Sequence, residues 1–89
     1  MVSCKLTVSG VVQGVGFRYF VYKTATRLML FGSVKNKTNG NVEIVAEGER
    51  SLIEELIHNV KIGPPNAHVV NVSIEWNKWT GTFQSFEIR

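Results

Sequence analysis

Apolar and polar residues alternate with period two in "CKLTVS", residues 4–9, so Cys4, Leu6 and Val8 share one side and the segment predicts a half-buried strand. Phe17, Val21, Ala25 and Leu28 then recur at helical spacing, striping one face of a helix of about three turns. "GSVKNK" and "NVEIVAE" flank "TNG", where Asn39-Gly40 predicts a hairpin turn because both residues accept positive φ. Val42, Ile44 and Ala46 alternate with Glu43 and Glu47, which buries one face of the second arm. A second helix is expected to open at Ser51, with Glu54 completing a capping box. Leu52, Ile53, Leu56, Ile57 and Val60 form its apolar face, and Gly63-Pro64-Pro65 ends it. From His68 to Trp76 the alternation returns, with Val70, Val72, Ile74 and Trp76 on one side, and "TFQSFEIR" supplies a short closing strand.

The order is β-α-β-β-α-β with an extra short C-terminal strand. It predicts an α+β sandwich of the ferredoxin-like kind, an antiparallel sheet with two helices on one face. The 89 residues make one domain, 1–89, large enough for a two-layer core and too small for a separate cofactor domain. No apolar run approaches the ~18 residues of a membrane helix, and "MVSCKLTV" lacks the apolar core of a signal peptide, so a cytoplasmic protein without membrane contact is expected. Cys4 is the single cysteine, which excludes an internal disulfide, and its place beside Leu6 and Val8 marks it as a small buried hydrophobe.

Net charge is +3, from ten Lys and Arg against seven acidic residues that are all Glu. That mild excess suits an anionic small molecule as well as RNA. The absence of Asp removes any metal site built on aspartates. His58 and His68 lack Cys or Asp partners and read as surface or structural residues.

The chemistry concentrates in "GVVQGVGFRYF", residues 10–20. Glycines at 10, 14 and 16 join the first strand to the start of the first helix, where backbone N–H groups lack intrahelical partners and the dipole favours negative charge. Curled amides there form an anion-binding nest, and Arg18 adds a fork that pairs with two phosphate oxygens. Neither the dinucleotide pattern nor the P-loop pattern fits, since Tyr19 stands where a third glycine is needed and no Gly-Lys-Ser/Thr occurs. Spacing alone leaves a second reading open, a glycine-rich turn with Arg18 as a solvated charge.

"VSGVVQGVGFR", Val8 to Arg18, resembles the first signature of the acylphosphatase family at every constrained position, and "GSVKNKTNGNVEIVAEG", Gly32 to Gly48, resembles the second at all but one. "GPPNAHVV" and the terminal "FEIR" are similar to family sequence as well, so the resemblance spans the chain. It implies the ferredoxin-like fold already read from the pattern, and hydrolysis of the carboxyl–phosphate bond of acyl phosphates with neither metal nor organic cofactor. It further implies that the backbone of Gln13, Gly14, Val15, Gly16 and Phe17 cradles the phosphate, that Arg18 binds its oxygens, and that Asn36 positions the attacking water. Inorganic phosphate is expected as product and inhibitor, and a monomer is expected.

Two residues depart from the family pattern. Ser33 stands where an aromatic residue is usual, and Met29 where many members have glycine near the end of the first helix. A left-handed helix cap at Met29 would cost on the order of 1 kcal/mol. An RNA-recognition domain is the rival reading, since it shares the β-α-β-β-α-β order. It would stack bases on aromatics of the central strands, whereas "NVEIVAEG" has none and the aromatics of "GFRYF" enter a helix.

Overall fold

The computed structural model describes residues 1–89. Its elements are β1 (Val2–Val11), α1 (Phe17–Arg27), β2 (Phe31–Asn36), β3 (Val42–Gly48), α2 (Arg50–Ile62), β4 (His68–Lys78) and β5 (Phe86–Ile88). The strands form one sheet in the order β4-β1-β3-β2-β5. The first four strands pair antiparallel, as expected for the ferredoxin-like arrangement, whereas β5 lies parallel to β2 and makes the sheet mixed.

Strand alternation decides which side chains meet the helices. Cys4, Leu6 and Val8 of β1 stand opposite Ala46, Ile44 and Val42 of β3. All six are buried, together with Phe17, Val21 and Ala25 of α1 and Ile53, Leu56, Ile57 and Val60 of α2. On the opposite sheet face, Glu43 pairs with Lys5 at 3.2 Å and Lys35 at 3.4 Å. Ser33, which shares that face with Lys35, is nonetheless covered.

Local details differ from the sequence expectation at four places. The second helix starts at Arg50 with Glu49 as its cap, and no side chain caps it. Ser51 thus falls inside the first turn, and Glu54 pairs with Arg50 at 3.7 Å instead of closing a capping box. Arg50 also stacks over the Trp76 ring at 4.1 Å. In the β2–β3 turn only Gly40 has positive φ. Gly40 N–H donates to Lys37 O at 3.2 Å and Lys37 N–H to Asn41 O at 2.8 Å, giving a three-residue loop with glycine in the left-handed position.

The third difference is a bulge. Ser9 pairs with Asn71 but Gly10 with Val69, leaving Val70 as an extra residue on β4. Val69 therefore packs toward the core while Val70 turns outward, and Ile74, on an edge strand, stays 42% exposed. Gly10 is required there, because a Cβ would overlap the main-chain oxygen of His68.

The fourth is Glu47, which shares the sheet face of Lys5 and Lys35 yet is only 1% exposed. The loop after β4 folds over it. Its Oε2 accepts from the Thr80 hydroxyl at 2.8 Å and Thr80 N–H at 3.3 Å, and its Oε1 from Gly81 N–H at 3.1 Å.

Met29 adopts the strained conformation considered for it, with φ 56°. Met29 N–H donates to Thr26 O at 3.0 Å and Leu30 N–H to Ala25 O at 2.9 Å, the bond pair of a Schellman cap. Cys4 is fully buried, and burial pushes its thiol up to about 11.

Candidate active site

At the end of β1 the chain leaves the sheet and curls through Gly14 and Gly16, whose φ values are 73° and 77°. Both are positive, the region glycine enters without a Cβ penalty. Gly16 is the N-cap of α1, which has no side-chain cap and no acidic residue in its first turn. The helix ladder begins with Phe20 N–H to Gly16 O at 3.1 Å. No N–H from Gln13 to Tyr19 donates to an acceptor within the protein. A run of free amides at a helix N-terminus, with the dipole behind it, offers donors suited to an anion's oxygens.

Asn36 enters from the other side. It ends β2 opposite Val42, two residues beyond core-facing Val34, so alternation turns its side chain to the helix face and Lys35 away. Its Oδ1 is buried and has no hydrogen-bond partner. Such an atom is costly unless something donates to it.

The two sides enclose a cleft of about 220 Å³ lined by Val12, Gly14, Gly16, Phe17, Arg18, Tyr19, Asn36 and Ile88. The Arg18 side chain is exposed and makes one long contact, Nη1 to Arg89 O at 3.5 Å. A wider depression of about 650 Å³ at the other end of the sheet contains Arg50, Trp76, Lys78 and Trp79 and none of these residues. Size does not select the site. Its chemistry does.

A family model described as Acylphosphatase matches residues 4–88. The chain belongs to the acylphosphatase family. It is 48% identical over 85 residues to an acylphosphatase of Syntrophotalea carbinolica, an alignment covering 96% of this chain and 92% of that one. It is 45% identical over 89 residues to an acylphosphatase of Methanococcoides burtonii, covering 99% and 93%. The crystal structure of acylphosphatase from Bacillus subtilis matches with a TM-score of 0.97 at 38% identity, covering 100% of this chain and 99% of that one.

Of the residues assigned by resemblance to the acylphosphatase signatures, the cleft brings together Gly14, Gly16, Phe17, Arg18 and Asn36. Gln13 and Val15 belong to the loop without lining the cleft. Val15 packs against the core, and the Gln13 side chain turns to the β2–β3 turn, where Nε2 donates to Lys37 O at 2.8 Å and Asn41 O at 2.9 Å. Val12, Tyr19 and Ile88 were not singled out from sequence. Ile88 reaches the cleft because β5 pairs with β2, setting it beside Val34. No three His, Cys, Asp or Glu side chains gather where they could hold a metal ion. No helix is long and apolar enough to cross a membrane.

Proposed function

We propose that this acylphosphatase-family chain hydrolyses the carboxyl–phosphate bond of acyl phosphates with its own residues alone. The amides of Gln13 to Phe17 and the Arg18 fork hold the non-bridging phosphate oxygens, and Asn36 orients the attacking water. The observation that carries this reading is the convergence of free amides, a guanidinium paired with no Glu side chain and the unpartnered Asn36 Oδ1 on one cleft.

The chemistry needs little more. A carboxylate is a good leaving group, so positioning and electrostatic stabilisation of the phosphoryl oxygens suffice. The Asn36 Oδ1 accepts one water proton while its NH₂ can donate elsewhere, which aims a lone pair at phosphorus. The new P–O bond forms from water, the P–O bond to the acyl oxygen breaks with its electron pair leaving on the carboxylate, and the one proton the water sheds passes to a phosphate oxygen. Products are a carboxylate and inorganic phosphate, and the phosphate fits the same cradle. The scheme asks for no second subunit, and we take the chain to act as a single-domain monomer in the cytoplasm.

Acetyl phosphate hydrolysis with EDTA present tests the reading. Activity that survives chelation and is competitively inhibited by phosphate is expected. Activity that appears only on adding a divalent cation would overturn it.

A further inference from the structure

The cradle and the strand end that carries Asn36 are joined by one side chain. Gln13 spends both amide hydrogens on the β2–β3 turn, donating from Nε2 to Lys37 O at 2.8 Å and to Asn41 O at 2.9 Å. These two residues close that turn, since Lys37 N–H donates to Asn41 O at 2.8 Å, and Lys37 directly follows Asn36. Each carbonyl has a second lone pair, so the Gln13 bonds add to the turn's own bonds without displacing them. No other side-chain hydrogen bond links residues 12–17 to residues 36–41.

We propose that the Gln13 side chain is a positioning residue for hydrolysis: it sets the spacing between the phosphate cradle and Asn36, and so the line from the attacking water to phosphorus. This rests on the reading that Asn36 orients the water. The physical demand is steep, because reacting atoms must be held about 3–3.5 Å apart and a misplacement near 1 Å can cost about 10²-fold in rate. Asn36 stands at the last ladder pair of β2 and β3, and just beyond it the strand end is closed by the turn's own Lys37–Asn41 bond. The cradle's amides are free of protein acceptors. The turn's own bonds do not reach the cradle, and the Gln13 bonds to Lys37 O and Asn41 O tie the two together. A Gln13 that only steadied the turn would change stability and leave the ratio of turnover to phosphate affinity alone.

Gln13→Met keeps side-chain length and removes both donors, and Gln13→Ala removes the side chain. Single-turnover hydrolysis of acetyl phosphate and phosphate titration would be run on both, on Asn36→Ala and on the Gln13→Met/Asn36→Ala pair, with near-UV circular dichroism as the fold control. The expected result is turnover reduced about tenfold or more in Gln13→Met, with phosphate affinity within about threefold of the parent. In the Asn36→Ala background the same change should add almost nothing, since coupled residues act non-additively. Parent-like turnover in Gln13→Met and Gln13→Ala, alongside its loss in Asn36→Ala, overturns this proposal alone. So does full multiplication of the two losses, or collapse of phosphate affinity in folded Gln13→Met. Parent-like turnover in Asn36→Ala overturns the water-orienting reading and this proposal with it.

Discussion

Arg18 meets Arg89 at the mouth of the cleft, its Nη1 3.5 Å from the Arg89 main-chain oxygen. That separation is at the long limit of a hydrogen bond and holds the guanidinium weakly. The ion pairs engage Lys5, Lys35, Arg50 and Arg89, and none engages Arg18. Arg89 turns its own guanidinium to Glu87, with Nε at 3.1 Å and Nη2 at 3.0 Å from Oε2. The Arg18 fork is thus free to exchange one poor contact for two phosphate oxygens.

Arg18→Ala is accordingly expected to lower turnover by at least ~10²-fold, the scale of losing one preorganised donor, and to weaken phosphate binding. Arg18→Lys should recover little, because a point charge does not reproduce the fork. Steady-state kinetics with a phosphate inhibition series would check both. Near-parent phosphate affinity in the alanine variant would make Arg18 a bystander.

Met29 holds the left-handed position of the α1 cap at φ 56°, and the residue is 79% exposed. Glycine there relieves the Cβ strain and forfeits almost no packing. Met29→Gly should stabilise the fold by about 1 kcal/mol, read as a higher urea midpoint with an unchanged slope. A lower midpoint would mean that the exposed side chain contributes more than the strain costs.

Burial raises the pKa of Glu47, but hydrogen bonds from Thr80, Ser3 and Gly81 outweigh it and hold the carboxyl below its ordinary range. A depressed folded pKa stabilises above the unfolded value, about 4.3, and that stability is lost as pH falls through the folded value. Glu47→Gln should therefore cost about 2 kcal/mol at pH 7, the scale of hydrogen bonds to a charged group. The gap to the parent should narrow below about pH 4 as the parent's own carboxyl protonates. Urea titrations across that range would show it. A gap that stays constant into acid would mean that the charge of Glu47 plays no part.

Elements and faces were legible because they follow from local periodicity: the Cys4-Leu6-Val8 strand face, the Phe17-Val21-Ala25 stripe and the Val42-Ile44-Ala46 arm. The curled loop at a helix start was legible from Gly14, Gly16 and Arg18, and the family signatures pointed to Asn36, which the fold sets in the same cleft. What the sequence hid depends on contacts between distant segments. Val70 faces outward because Gly10 creates a bulge on the neighbouring strand. Glu47 is buried by a loop more than thirty residues away. The outward reach of the Gln13 amide and the place of Ile88 likewise needed the sheet to be assembled first.

The central claim divides the labour of the cleft, with Arg18 and the cradle holding phosphate and Asn36 aiming water. Phosphate titration beside single-turnover hydrolysis of acetyl phosphate, on the parent and on Asn36→Ala, tests that division most directly. The account predicts turnover lowered by ~10²-fold or more while phosphate binds nearly as in the parent. Phosphate affinity that collapses together with turnover in a still-folded Asn36→Ala protein would contradict it.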